Sequence, residues 1–454
     1  MAMTDPLETL RLTITTLTAA KKYSTLRDIL TTMNAADIAS LFDEDIPKES
    51  IPLLFRLLPK ELAADTFVEM EAETQELLIK GFSDNELKEV IDELYVDDAV
   101  DLVEEMPANV VKRILQNADA EKRQMINTIL KYPEDSAGSI MTTEFVELRP
   151  HMTAEEAILR IRRSGIEKET VSNCYVSSKN RDLIGTVTIL DLIMADPEAT
   201  MEEIMDDNVI SVGTMEDQEA VAQQFSKYNL MAMPVVDQEG RLVGIVTVDD
   251  VMDVLEEETT EDIEKMAAIV PTDKPYLKMS TIELWKSRIP WLLLLMISAT
   301  FTGMIITSFE DALAKYVILT AYIPMLMDTG GNSGSQASVT VIRGISLNEV
   351  EFSDIFQVIW KEARVAICCG ATLALCNFAK LMFFDKLPMI VALTICLTLV
   401  VTIFCAKIVG CTLPLIAYKL KFDPAVMASP FITTIVDAIS LLVYFQFATR
   451  LLGL

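Results

Sequence analysis

Asp437 is the residue of this chain whose type and position demand a chemical explanation first. It is the only carboxylate in the apolar stretch Pro430–Leu452, which is long enough to cross a bilayer. A lone acid at membrane depth is costly and marks a polar or ion pathway, unless it is protonated or paired, with Lys407 as the candidate partner. Helical spacing of four puts Ser429, Thr433 and Asp437 on one stripe. Pro430 cannot donate within a helix, so carbonyls near Ser429 are predicted to face a cavity. Carbonyls and hydroxyls in line with a carboxylate suit a hard divalent cation. Mg2+ sheds water reluctantly, so such a stripe would hold it through its waters. Asp423 lies at the mouth of the same segment.

A second polar run sits in apolar sequence at AYIPMLMDTGGNSGSQASVTVIRG (321–344). Gly330, Gly331, Gly334 and Gly344 permit close helix approach, while Asn332, Ser333, Ser335 and Gln336 can line a wet path. Gly331 and Asn332 are the pathway candidates here. Five apolar spans must position these groups, at about 289–308, 313–342, 356–384, 387–418 and 427–453. Under alternating topology, Lys286, Arg288, Arg343, Lys361, Arg364, Lys419 and Lys421 fall on the side shared with the N-terminal part, which makes that side cytosolic and puts Leu454 outside. MAMTDPLETL contains no signal-type apolar run, which agrees with a cytosolic N-terminal part.

Charge divides the 454 residues sharply. From Lys286 onward there are 12 basic and 10 acidic residues, whereas residues 1–285 hold 26 and 58, a net charge of −32. Nucleic acid is excluded as a partner by this field, and cations are favoured as ligands. Six of the seven cysteines lie in apolar segments, no CxxC pair occurs, and His151 is the sole histidine, so zinc ribbons, redox pairs and His-rich metal sites are excluded. Residues 1–135 read as short helices interrupted at Ile46-Pro47, Leu58-Pro59 and Met106-Pro107, with two similar phrases suggesting stacked helix pairs in a superhelix. Residues 136–255 contain an internal repeat, LIGTVTILDLI (183–193) and LVGIVTVDDVM (242–252), each a strand turning into a helix through Gly-x-x-Thr-x-x-Asp. Residues 249–270 form a predicted acidic helix ended by Pro271 and Pro275.

The repeat resembles a tandem pair of CBS domains, which implies a β-α-β-β-α module with clefts that often hold adenosine nucleotides. Thr188, Asp191 and Thr247 are then nucleotide candidates, although helix capping accounts for the same Thr and Asp. TGGNSGSQ, DPA…SPFITT…D, the CBS pair and the helical N-terminal region together are similar to the MgtE family of magnesium channels, over essentially the whole chain. The resemblance implies a multidomain membrane protein: an all-α superhelical acidic domain (1–135), α/β tandem CBS domains (136–255), a connecting plug helix (256–285) and a five-helix transmembrane domain (286–454). It further implies a homodimer embedded in the lipid of a bacterial plasma (inner) membrane, Mg2+ as cargo and regulator, and ATP as a candidate CBS ligand. Carried over by motif, Asp437 is the acid that recognises the hydrated ion, Ser429 and Thr433 supply carbonyls beside it, and Asp423 is the acid of the DPA motif. Regulatory Mg2+ is assigned to Asp65, Asp97, Asp101, Asp217, Glu219, Asp250, Asp253, Glu258 and Glu261. Asn229 departs from the pattern where an acid is expected, and Ser429 stands where Asn is frequent. Competing readings are a broader Mn2+/Co2+/Ni2+ transporter, an intramembrane aspartyl protease using Asp328-Thr329-Gly330 with Asp437, a chloride channel, and a membrane-anchored nucleotide sensor.

Overall fold

A computed structural model describes residues 6–164, 168–272, 274, 276–427 and 429–453; Pro275 and the side chain of Ser429 lie outside the described residues. The chain divides into two compact units, one up to Val254 and one from Leu255 onward.

The first unit opens with helices α1 (Pro6–Ala19), α2 (Tyr23–Leu30), α3 (Ala35–Glu44), α4 (Ile51–Phe55), α5 (Lys60–Val68), α6 (Ala72–Gly81), α7 (Asp84–Glu93), α8 (Val96–Glu105), α9 (Ala108–Asn117) and α10 (Ala120–Ile129). The predicted breakers act as helix starts: Pro59 and Pro107 are the N-caps of α5 and α9. Ser83 and Glu86 close a reciprocal capping box on α7. Helices two apart pack together, α3 on α5, α5 on α7 and α7 on α9. Their apolar faces share a core in which Phe42, Leu54, Phe67, Leu78 and Ile91 are fully or almost fully buried.

Two matching modules follow. The first runs β1 (Val146–Leu148), α11 (Ala154–Ser164), β2 (Asn173–Ser177), β3 (Leu183–Thr188), α12 (Ile189–Met194) and the short α13 (Met201–Ile204). The second runs β4 (Val212–Gly213), α14 (Gln218–Tyr228), β5 (Ala232–Val236), β6 (Leu242–Thr247) and α15 (Val248–Met266). In each sheet the first strand is parallel to the second and the second antiparallel to the third. This is the β-α-β-β-α order that the repeat predicts. Asn229 ends α14 in the left-handed region at φ 53°, a conformation that Asn tolerates better than most residues.

The second unit contains α16 (Thr281–Ser308), α17 (Glu310–Lys315), a 3-10 turn at Val317–Tyr322, α18 (Ile323–Ser346), α19 (Ile355–Phe383), α20 (Met389–Lys419) and α21 (Ser429–Leu452). Among the described residues, four helical stretches are long and apolar enough to cross a membrane: Thr281–Ser308, Phe352–Phe383, Met389–Lys419 and Pro424–Leu452. The expected span 313–342 is not continuous. Tyr316 leaves helical geometry (φ −130°, ψ 72°), and α18 starts afresh with Pro324 in its first turn. Its 24 residues include the polar run, which removes it from the apolar class. Pro430 sits in the first turn of α21 and not in the helix interior, so its missing N–H costs nothing.

Small residues set the spacing of α18, α20 and α21. A Cβ on Gly410 would run into the carbonyl oxygen of Gly334, and one on Gly330 would approach Thr402 Cγ2 to 2.7 Å. Such contacts let backbones approach where lipid offers no hydrophobic drive. Gly303 on α16, by contrast, faces open space. Gly410→Ala should therefore lower the melting temperature of the detergent-solubilised protein, by an overpacking cost of roughly 1–3 kcal/mol. Gly303→Ala should be neutral or stabilise by up to about 1 kcal/mol. Identical melting of the two variants would contradict the close approach.

Candidate functional site

Helix α18 has two faces of different chemistry. Gly330, Ser333, Gly334, Ala337 and Ser338 are buried against neighbouring helices, as helix packing requires. Pro324, Asp328, Asn332, Gln336 and Thr340, each four residues from the next, are exposed. The upper part of that exposed face meets α21 in a cleft of about 420 Å³ lined by Pro324, Asp328, Gly331, Asn332, Thr433 and Asp437. A Cβ on Gly331 would lie 2.9 Å from Thr433 Cγ2, so the glycine sets the approach of the two walls. Thr433 and Thr434 both donate their hydroxyls to the Pro430 carbonyl, at 2.9 and 3.0 Å. The predicted quartet Gly331, Asn332, Thr433 and Asp437 is thus brought together. Asp328, considered in the sequence only within its Asp-Thr-Gly triplet, joins it from a helix.

Lys407 does not serve Asp437. Its Nζ lies 3.5 Å from Glu362 Oε2, with the two side chains only 6% and 15% exposed. Asp423 is not part of the cleft lining. It caps the turn before α21 by accepting from Ala425 N–H at 2.7 Å and pairs with Lys265 at 2.7 Å. Among the described residues no three acidic, His or Cys side chains converge tightly enough to hold a bare metal ion.

A cluster of carboxylates occupies the first unit. Asp97 on α8 is 6% exposed. Burial, then the charges of Asp250, Asp98 and Glu169, push its carboxyl well above the ordinary range. Burial also raises Asp98 and Asp250 to about 6, and Glu169 to about 8 with help from Asp98 and Asp250. Asp101 keeps its side chain at the exposed rim, yet the crowding protein and Asp250 lift it to about 7; solvent screens it more than Asp97. One oxygen of Glu169 is buried without a partner. Asp98 and Glu169 were missed in the sequence, where Asp98 merely adjoins the acidic pair and Glu169 stands apart from any motif.

The remaining predicted residues are dispersed. Asp65 is exposed on α5. Asp217 is the N-cap of α14 and accepts from Glu219 N–H at 3.0 Å, while Glu219 accepts from Gln223. Asp253, Glu258 and Glu261 lie along α15, and Glu261 pairs with Lys265 at 2.7 Å. Thr188 donates to Asp191 at 2.6 Å in a capping box that starts α12, and Thr247 donates to Asp250 at the start of α15. Capping therefore engages the hydroxyls that were offered as nucleotide contacts.

Comparison with known proteins fits this arrangement. The magnesium transporter MgtE of Thermus thermophilus is 36% identical over 431 residues, spanning 94% of this chain and 95% of that one. The chain belongs to the MgtE family. The family's divalent cation transporter domain matches residues 323–447, its intracellular N domain 22–135, and CBS domains 137–198 and 201–257. The MgtE magnesium transporter of Bacillus subtilis is 32% identical over 94% of both chains. A crystal structure of the cytosolic domain of the Mg2+ channel MgtE in complex with ATP is 35% identical; it covers 54% of this chain and 99% of its own, with a TM-score of 0.51. The cleft between α18 and α21 lies wholly within the matched transporter domain.

The crowded acids make the first unit sensitive to pH. Folding holds Asp98, Asp250, Asp101 and Glu169 above an unfolded carboxylate value of about 4. The folded unit then binds more protons than the unfolded chain, so stability is fully present below about pH 4 and is lost as pH rises toward about 8. Amide protection factors over Val96–Glu105, measured without divalent ions, should fall across this window. Asp97→Asn with Asp101→Asn should flatten the fall. Protection that is constant from pH 5 to 8 would contradict the cluster.

Proposed function

We propose that this chain is a homodimeric Mg2+ channel of the bacterial plasma membrane, closed by cytosolic Mg2+. The observation that carries the reading is the cleft in which Asp437, Asn332, Gly331 and Thr433 come together between apolar helices. One carboxylate with an amide and a hydroxyl nearby suits an ion that keeps its waters, since Mg2+ demands octahedral geometry and dehydrates reluctantly. Asp437 recognises the hydrated ion, Thr433 and Ser429 lend carbonyl positions, and Asp423 guards the inner mouth. The exposed polar face of α18 requires water or a second subunit, because it cannot face lipid. Five crossings per subunit, with α18 lining the axis, meet that requirement.

In this reading residues 1–135 are a superhelical acidic domain, 136–255 the CBS pair, 256–285 the connecting plug region, in which α15 ends and α16 begins, and 286–454 the transmembrane domain. Two like charges a few ångströms apart cost about 1–4 kcal/mol, depending on effective dielectric. The crowding of Asp97, Asp101 and Asp250 supports a divalent cation held through its waters, because mutual repulsion is what a doubly charged ion relieves. Asp217 and Glu219, with Asp253, Glu258 and Glu261 on α15 and Asp65 on α5, extend the acidic surface that responds. Mg2+ binds the compact closed form better and shifts the population toward it. ATP in the CBS cleft is supported by the related cytosolic domain solved with it. Thr188, Asp191 and Thr247 are its candidate contacts, with both threonine hydroxyls also engaged in capping.

A broader divalent cation transporter is the second reading, favoured by the description of the matched family domain. Uptake into proteoliposomes across Mg2+, Mn2+, Co2+ and Ni2+ separates the two. Wild type should take up Mg2+, and Asp437→Ala should lower the rate by about tenfold or more, the loss of roughly 1.4 kcal/mol of ion stabilisation. Wild-type protein that is inserted but passes no divalent ion would overturn transport. Patch recordings of Asp250→Asn with Asp253→Asn should show conduction persisting at internal Mg2+ that closes the wild type; normal closure would contradict the sensor.

A further inference from the structure

We propose that Lys265 is a built-in cation that tethers the end of α15 to the loop before α21 and competes with a divalent ion for the same two carboxylates. The inference rests on the regulatory reading above and adds a residue that the reading does not use. Lys265 Nζ lies 2.7 Å from Glu261 Oε2 and 2.7 Å from Asp423 Oδ2. Glu261 precedes Lys265 by four residues, the favourable order for an ion pair on a helix, so the ammonium is already held at the site. Asp423 is fixed from the other side by the Ala425 N–H. Both partners of Lys265 are only partly exposed, at 39% and 33%, so solvent screening is incomplete.

The backbone around Lys265 is also held in place. Thr272 N–H donates to Glu264 Oε2 at 2.9 Å, and Val270 N–H donates to the Ser287 carbonyl at 2.9 Å. The chain leaving α15 is thereby bound to α16, which keeps the ammonium within reach of Asp423. Asp262 adds a further carboxylate, on which Asp423 acts repulsively and Lys265 and Arg343 attractively. A single positive charge cannot neutralise Glu261 and Asp423 together. It holds them in one place while leaving a net negative site. A doubly charged ion would take both carboxylates and free the lysine. Lys265 therefore sets the state of α15 without divalent ions: attached, but weakly.

Hydrogen–deuterium exchange over residues 255–266 of the full-length protein in lipid nanodiscs tests this, first with EDTA and then with MgCl2. In EDTA, Lys265→Met and Asp423→Asn should each exchange roughly two- to five-fold faster than wild type, the factor that one partly exposed ion pair supplies. Lys265→Arg should stay close to wild type. With Mg2+, Lys265→Met should recover wild-type protection or better, whereas Asp423→Asn should not. Wild-type exchange by Lys265→Met in EDTA overturns the tether. Failure of that variant to recover in Mg2+ overturns the competition. Loss of the transport reading is detected separately by wild-type uptake, and leaves the exchange result standing.

Discussion

The constraint on which the membrane half depends is the cost of leaving polar groups in hydrocarbon. Helix α18 carries Asp328, Asn332, Gln336 and Thr340 along one face, and α21 brings Asp437 to the same cleft. None of these groups can be left against lipid tails. The opposite face of α18 is rich in glycine and serine, which lets α20 and α21 approach closely. Packing and the polar cleft are thus two faces of one helix, and the sequence run TGGNSGSQ serves both.

On the soluble side the governing interaction is repulsion between carboxylates. Asp97, Asp98, Asp101, Glu169 and Asp250 crowd one region of the first unit, and burial raises their proton affinity. The stability of such a cluster depends on what neutralises it, and protons do so at low pH. The contrast with Glu362 and Lys407 is instructive: there a buried acid is matched by a fixed lysine, which makes a structural pair that needs no ion.

Much of this was legible in the residues. The two Gly-x-x-Thr-x-x-Asp segments gave matching strand–helix turns, and the prolines at 59 and 107 began helices where they were read as breakers. Thr433 and Asp437 share a stripe of α21, as helical periodicity requires, whereas their meeting with Gly331 and Asn332 of α18 is a tertiary contact. What could not be read depends on contacts between distant segments. Nothing local to Lys407 shows that Glu362 is its partner, and Glu169 joins the acid cluster only through the fold. The span 313–342 failed for a different reason: apolar content was counted across a backbone break at Tyr316 that composition does not reveal. Capping engages Thr188 and Thr247, and residue type and spacing alone do not separate that role from ligand contact.

Central to the account is that Asp437 faces a water-filled path shared by two subunits. Electron cryomicroscopy of the full-length protein in lipid nanodiscs with Mg2+ addresses this most directly. The account predicts a twofold dimer with Asp437, Asn332 and Thr433 of both copies turned toward the axis and density for a hydrated ion between the two carboxylates. Asp437 turned to lipid, or sealed in a dry contact away from any axis, would contradict it.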